Sequence, residues 1–220
     1  MGPSILRLFR FRPSVPGFDR SLRTILIPDA ARLPGNRGVF AGRRGPGEDG
    51  PRLVATLWRS REAMVEAVGE RFEPAVFHPE LLDSTTDRSL LSLPIEVAFD
   101  PEPDVAVSII RLVVGRTHPG ALEDYVARAR AGTVADREHE VGPRALYLAL
   151  DPPDGFATLS LWETWAHVQE ATGARDAEIR TRHSDQLAVW HAEHYEALPG
   201  SPMRVMPEPD VDPELGRAPA

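Results

Sequence analysis

The sequence repeats itself at an offset of about 104 residues, and this repeat constrains the fold more than any other feature. Residues 4–8, Ser-Ile-Leu-Arg-Leu, return as Ser-Ile-Ile-Arg-Leu at residues 108–112. At the same offset Leu57-Trp58 returns as Leu161-Trp162. Short matches in a fixed order at one offset indicate the duplication of a whole domain. We therefore expect two domains, at residues 1–103 and 104–206, and a disordered acidic, proline-rich tail at residues 207–220.

Composition excludes several classes of function. The chain has no cysteine, and all 25 of its basic residues are arginine, so thiolate nucleophiles, cysteine-ligated metals and lysine Schiff bases are excluded. The net charge of -8 disfavours nucleic acid as a partner. No apolar run is long enough to span a membrane, and residues 1–12 alternate apolar side chains with arginine, unlike a signal peptide. We expect a cytoplasmic protein without a membrane partner.

Each half is predicted to follow the order strand, helix, strand, strand, helix, strand. In the first half the strands are expected at residues 4–12, 37–43, 52–58 and 94–99, with helices from Phe18 and after an N-cap at Ser60. In the second half they are expected at 106–115, 143–150, 156–162 and 202–206, with helices after an N-cap at Thr117 and at 163–172 and 176–197. This order predicts two tandem ferredoxin-like domains of the α+β class, whose sheets pack together as a barrel-like core.

Two strand-then-helix phrases carry a family resemblance. Residues 54–63, Val-Ala-Thr-Leu-Trp-Arg-Ser-Arg-Glu-Ala, and residues 158–164, Thr-Leu-Ser-Leu-Trp-Glu-Thr, resemble the V-x-x-W-x-S-x-E-A phrase of the dimeric α/β-barrel superfamily. More narrowly, they are similar to its antibiotic-biosynthesis-monooxygenase branch, which also holds haem-degrading enzymes. Members commonly build the barrel from two chains, and this sequence resembles a fused version. The resemblance therefore implies a monomeric pseudo-dimer or a homodimer.

Alternation along the strands assigns side chains to the two faces of each sheet. The apolar sets around Ala55 and Leu159 are expected to pack under the helices. The opposite face is expected to line a cleft between the two sheets, with its polar and aromatic members being Arg7, Arg111, Thr56, Ser160, Trp58, Trp162 and Tyr147. An apolar cleft with a few convergent polar groups is typical of a small-molecule site. Alternatively, both arginines pair with carboxylates and both tryptophans fill the interface.

The resemblance implies that Trp58 and Trp162 lie in the substrate pocket. The sequence departs from the family at two places. Arg7 and Arg111 occupy the stretch where the family uses an asparagine, and Gly69 and Gly173 lie where haem-degrading members place their ligand histidine. We therefore expect no cofactor, with haem as the alternative.

Four histidines are candidates for chemistry. His78 and His183 follow the two tryptophans by about 20 residues and are candidates for an acid or base group, or for features of a helix N-terminus. On the predicted helix 176–197, His191 and His194 lie on neighbouring turns and are weak candidates for a metal site. A solvated or core-edge helix face is the preferred explanation of that pair.

Together with these residues, the resemblance implies a cofactor-independent monooxygenase that acts on a small polycyclic phenolic substrate in the cleft between the sheets. His78 or His183 is the expected base, and Arg7 or Arg111 is expected to stabilise the resulting phenolate. The second half, with His183, His191 and His194 after its tryptophan and Tyr147 in its sheet, is the expected active half. The alternatives are a non-catalytic binder of a small aromatic molecule or haem, and a packed protein that acts through a partner.

Overall fold

The computed structural model describes residues 2–69, 83–102, 105–137, 141–173, 181 and 183–200. The first half comprises β1 (Ile5–Pro13), α1 (Phe18–Ser21), a π-helical stretch (Leu22–Leu26), α2 (Ile27–Arg32), β2 (Asn36–Arg43), β3 (Arg52–Trp58), α3 (Arg61–Val68) and β4 (Thr85–Phe99). The second half comprises β5 (Ile109–Thr117), α4 (Leu122–Arg137), β6 (Ala145–Asp151), β7 (Gly155–Trp162), α5 (Trp165–Thr172), a 3₁₀ turn (Ser184–Gln186) and β8 (Leu187–Ala197).

The eight strands form one closed antiparallel barrel in the order β1-β3-β2-β8-β5-β7-β6-β4. Each half contributes a four-stranded ferredoxin-like sheet, β4-β1-β3-β2 or β8-β5-β7-β6. The halves join where β2 pairs with β8 and where β4 pairs with β6. At the first junction only glycine fits, because a Cβ atom on Gly42 would lie 2.7 Å from the Cβ atom of Tyr195. The predicted tandem ferredoxin-like architecture is confirmed.

The barrel interior is an apolar core shared by the two halves. Phe40 on β2 and Tyr147 on β6 occupy equivalent positions and meet with their ring centroids 5.8 Å apart. Around them pack leucines, isoleucines and alanines of both sheets, including Leu8, Leu57 and Leu161. Helices cover the outer faces of the sheets, so every central strand is buried on both sides.

The helices on the two sheets are anchored differently. In the first half the buried Arg52 donates to both carboxylate oxygens of Asp19 on α1, at 2.6 and 3.1 Å, and to the carbonyl of Gly50 at 2.7 Å. In the second half Phe156 occupies the position of Arg52, and its ring packs on Tyr125 of α4 with centroids 4.7 Å apart. An ion pair and an aromatic contact thus hold equivalent helices.

The helix that follows the third strand of each half, α3 or α5, begins at a capping residue. The Ser60 side chain accepts from the backbone N–H of Ala63 at 3.3 Å, and Thr164 accepts from the N–H of His167 at 3.2 Å. These bonds satisfy donors that a helix N-terminus leaves unpaired. The N-cap predicted at Ser60 is confirmed, whereas Thr117 is the last residue of β5 and caps no helix.

The helix predicted over residues 176–197 is wrong for residues 187–197. Residues 187–197 form β8, which pairs with β5 from Ile109–Glu196 to Thr117–Leu187. This segment is rich in Ala, Glu and Leu, which favour helix, and long-range pairing overrides that local preference. Strand β4 also begins at Thr85, nine residues before the predicted start at Pro94.

Some sequence predictions fall outside the described residues. These are the segment that contains His78, the strand predicted at 202–206, and the tail at 207–220. Among the helices that are described, none combines the length and the apolar character that crossing a membrane requires.

Candidate functional site

The two faces of each sheet are reversed relative to the sequence prediction. Leu57 and Leu161, expected under the helices, fill the barrel interior. Trp58 packs instead beneath α3 against Met64, so the polar face of each sheet lies under its helices. The predicted cleft between the sheets is therefore wrong. A closed barrel gives interior polar groups no route to water, whereas the layer between a sheet and its helices opens at the helix ends.

A cavity lies between the second sheet and α4. Its volume is about 90 Å³, and the surrounding concavity, which includes open solvent, is about 690 Å³. The lining residues are Arg111, Val113, Tyr125, Ala129, Gly132, Thr133, Pro143, Leu146, Leu148, Thr158, Ser160, Trp162, Thr172, Thr181 and His183. No acidic residue occurs among these described lining residues, so the one permanent charge on the described wall is the guanidinium of Arg111.

The structure brings three of the predicted site residues together in this cavity. Arg111 on β5 and Ser160 on β7 are direct cross-strand partners, and Trp162 follows two residues along β7 on the same face. Arg111 is only 6% exposed and Ser160 only 3%. The Trp162 indole N–H donates to Ser160 Oγ at 2.9 Å. A buried guanidinium, a hydroxyl and an indole therefore meet on one wall of the cavity.

Tyr125 is a site residue that the sequence analysis missed. It projects from α4 towards β7, opposite the arginine wall. Burial raises the pKa of its phenol, while the Thr158 side chain and the charge of Arg111 act in the opposite direction. The signal that could have found it is its position in the apolar spacing Leu122, Val126 and Ala129 of the predicted helix.

His183 lies in the rim of the cavity. Its backbone is left-handed, with φ at 57°, and it begins the 3₁₀ turn that leads into β8. Its carbonyl accepts from the backbone N–H of Gln186 at 3.0 Å. The alternative interpretation of His183 as a feature at the start of a helical segment therefore agrees with its backbone, and its side chain also reaches the cavity. The other predicted base, His78, lies outside the described residues.

The corresponding residues of the first half are enclosed by packing. Trp58 Nε1 donates to Thr56 Oγ1 at 2.8 Å, which repeats the indole–hydroxyl contact of the second half. Trp58 is completely buried beneath Met64 and Val68. Arg7 donates to the carbonyl of Gly69, at the C-terminal end of α3, at 2.9 Å. A cation at this end of a helix is favoured by the helix dipole.

Tyr147 is not part of the cavity. It lies in the barrel interior, and its hydroxyl donates to Asp100 Oδ1 at 2.9 Å. The other oxygen of Asp100 accepts from Arg37 at 2.7 Å. Tyr147 was predicted to share the face of Trp162, but it lies on the opposite side of the sheet, with the apolar interior set.

His191 and His194 do not form a metal site in the described structure. On strand β8 they point to opposite faces, and no group of three or more potential ligands occurs among the described residues. His191 contacts Glu193 at 3.0 Å. His194 packs edge-on against Trp165, beside Arg111, and its Nε2 atom is buried without a hydrogen bond. Burial and the charges of Arg111 and Arg44 lower the pKa of His194 to about 4.

The chain resembles several solved structures over most of its length. A proposed monooxygenase from Fusobacterium nucleatum has a TM-score of 0.67 at 11% identity, covering 90% of this chain and 93% of that one. An anthrone oxidase-like protein has a TM-score of 0.58 at 15% identity, covering 89% and 91%. A ferredoxin-fold protein from Listeria monocytogenes related to antibiotic biosynthesis monooxygenases has a TM-score of 0.52 at 10% identity, covering 90% and 95%.

These similarities concern the fold. No protein-family model and no curated protein sequence matches the chain. At identities of 10–15% a structural match does not carry over residues or chemistry. The chain has the dimeric α/β-barrel fold, and one polypeptide supplies both of its ferredoxin-like halves.

Proposed function

We propose that the protein is an oxygenase that converts a small polycyclic phenol to a quinone without a cofactor, in the cavity of its second half. The observation that carries the proposal is the convergence of Arg111, Ser160 and Tyr125 on a cavity that apolar side chains and threonines also line. A positive charge and hydroxyl groups at a partly apolar cavity are suited to a ring that carries an oxyanion. The monooxygenase-like neighbours of the same fold support this class of reaction.

The reaction consumes one phenol and one O2 and yields one quinone and one water. A base takes the phenolic proton, and the phenolate transfers an electron to O2. The resulting radical and superoxide combine at the ring carbon para to the oxygen, and the proton returns to give a hydroperoxide. Loss of the para hydrogen as a proton then accompanies cleavage of the O–O bond, which leaves a carbonyl on carbon and releases hydroxide, protonated to water.

Each cavity residue has a defined part in this scheme. Arg111 stabilises the phenolate oxygen, because its guanidinium stays protonated and lies in a water-poor site where charge interactions are strong. Trp162 and Leu146 provide apolar contact for the ring. His183 is the proposed base, since it is a titratable group at the mouth of the cavity.

The size of the cavity bears on the orientation of the ligand. An engineered cavity of about 150 Å³ admits benzene. The cavity here, about 90 Å³, is smaller, so a two-ring phenol would insert one ring edge and extend into the open concavity. Haem fits these residues poorly, because Gly173 stands where the resemblance places the ligand histidine.

The proposal is tested with 1-naphthol under air. We expect consumption of O2 and appearance of 1,4-naphthoquinone in equal amounts, followed with an oxygen electrode and by absorbance. Arg111→Gln is expected to reduce kcat/KM at least 100-fold, because one oxyanion-stabilising donor commonly contributes a factor of 10²–10³. The matched variant Arg7→Gln, in the packed half, should leave turnover within about twofold of wild type once corrected for folded protein.

An absorption spectrum taken during a haem titration distinguishes the proposed oxygenase from the alternative, a haem-binding protein. A saturable Soret shift at one haem per chain, lost in His183→Ala, would replace the oxygenase by a haem protein. Retention of full turnover by Arg111→Gln would also contradict the proposal, because it assigns the phenolate charge to that residue.

A further inference from the structure

The orientation of the Ser160 hydroxyl is restricted by its neighbour on β7. The indole N–H of Trp162 is a donor only, and it donates to Ser160 Oγ at 2.9 Å. A serine hydroxyl has one hydrogen and two lone pairs, so the oxygen still has a hydrogen to donate after it accepts from the indole. That hydrogen must point away from the indole. The contact therefore makes Ser160 a directed donor.

This donor lies in the wall of the cavity. Ser160 is 3% exposed, and within the described part of the chain the Trp162 indole is its one hydrogen-bond partner. It lines the cavity directly across the strand pair from Arg111. A buried donor without an acceptor destabilises the free protein, so an acceptor in the cavity would satisfy it.

We infer that Trp162 is a positioning residue that aims the Ser160 O–H at the oxyanion of the ligand, beside the Arg111 guanidinium. This inference rests on the proposed function, because it assumes an anionic aromatic ligand in this cavity. It assigns Trp162 a hydrogen-bonding part in addition to ring contact. The site then discriminates between protonation states, since a directed donor next to a cation favours phenolate over phenol.

The first half supplies a matched control. Trp58 makes the same contact with Thr56, at 2.8 Å, but there Met64 and Val68 cover the indole. The indole–hydroxyl contact is therefore a common feature of both halves. Only in the second half is it shown to border the cavity that contains Arg111.

The experiment uses 4-nitrophenol, whose phenolate absorbs visible light, and 4-nitroanisole, which has the same ring but cannot ionise. Spectra of bound 4-nitrophenol across pH give its pKa in the site, and affinities are measured for both probes. Wild type should lower the pKa of bound 4-nitrophenol. Ser160→Ala should weaken phenolate binding about tenfold, equivalent to about one unit in that pKa. Trp162→Phe, which keeps a ring but removes the N–H, should weaken it about threefold.

The same variants should bind 4-nitroanisole within twofold of wild type, and Trp58→Phe should change neither probe. If Ser160→Ala and Trp162→Phe weakened the binding of both probes equally, the two residues would contribute only packing, and the inference would be overturned. An unchanged probe pKa in Ser160→Ala, with Arg111→Gln still raising it, would overturn the inference and leave the proposed function intact. Failure of Arg111→Gln to change the probe pKa would instead overturn the proposed function.

Discussion

The two halves of the barrel share a polar constellation but differ in the space around it. Arg7 and Arg111 occupy equivalent positions on the first strand of each half, as do Trp58 and Trp162 on the third. In the first half Phe9 and Phe11 stack at 4.8 Å and are covered by the α1–α2 segment. In the second half their equivalents are Val113 and Gly115, and a cavity lies beside Val113 under α4.

This difference shows that arginine and tryptophan do not by themselves identify a site in this fold. The indole–hydroxyl contact is present in both halves, so it belongs to the architecture of the repeat. Val113 lines the cavity and is smaller than Phe9, its equivalent two residues along the strand from the arginine. Thr172 in the cavity wall is equivalent to the buried Val68 of the first half, so the second half has a polar side chain where the first half has an apolar one.

The largest expected effect tests how the first helix of each half is anchored. Asp19→Ala removes the partner of Arg52, whose side chain is 1% exposed, and so leaves a buried charge uncompensated. We expect the free energy of unfolding to fall by about 3–5 kcal/mol. Tyr125→Phe in the second half removes only a hydroxyl and keeps the ring contact with Phe156, so it should change stability by less than about 1 kcal/mol. Urea unfolding of both variants measures the contrast, and similar losses would refute it.

A reciprocal exchange tests whether Phe9 and Val113 decide which half is open. Phe9→Val should lower the free energy of unfolding by about 2 kcal/mol, because it leaves a void in a packed cluster. Val113→Phe places the extra volume in the existing cavity, so stability should change by less than about 1 kcal/mol while 1-naphthol binding is lost. Calorimetric titration and thermal unfolding provide the two readouts. Retained naphthol binding by Val113→Phe would place the ligand elsewhere.

The smallest expected effect is an acid sensitivity confined to the second half. The pKa of His194 is lowered to about 4, whereas the equivalent partner of Arg7 in the first half is Ser92. Between pH 6.5 and 4 the unfolded chain binds a proton that the folded chain does not, so stability falls as pH decreases through this window. His194 is only partly buried, and solvent screening limits the loss to about 1–2 kcal/mol.

His194→Ser should flatten this part of the pH profile, measured as the urea midpoint at intervals from pH 7 to pH 4. The Arg111 and Arg44 charges should remain in that variant, so the difference between the profiles isolates the imidazole. An identical slope in wild type and variant would assign the acid sensitivity to other groups.

The parts of the fold that could be predicted from the sequence are those with a local signature. Alternation of apolar residues located β1 and β3, and the capping signal at Ser60 located α3. The repeat extended each assignment to the other half, and the pairing of Arg111, Ser160 and Trp162 on one face followed from strand periodicity.

The errors arise where burial or pairing is decided at long range. Both faces of β3 are fully buried, so its pattern could not show which face meets the helices and which fills the barrel. Strand β8 carries Glu193 and Glu196 among helix-favouring residues, and only its pairing with β5 makes it extended. The cavity lies beside Val113, which is smaller than Phe9 at the equivalent position, a difference whose consequence depends on where α4 lies.

Closure of the barrel within one polypeptide has a consequence for mass action. A barrel assembled from two chains has a stability that contains a concentration term, and dilution separates its halves. Here the chain between β4 and β5 keeps the halves together at an effective concentration that dilution does not change. A substitution in this chain therefore occurs once in the barrel, whereas in a barrel of two identical chains it would occur twice. Each half has to pair only with the other half and not with a second copy of itself. Asymmetry such as that between Phe9 and Val113 can accumulate without loss of assembly.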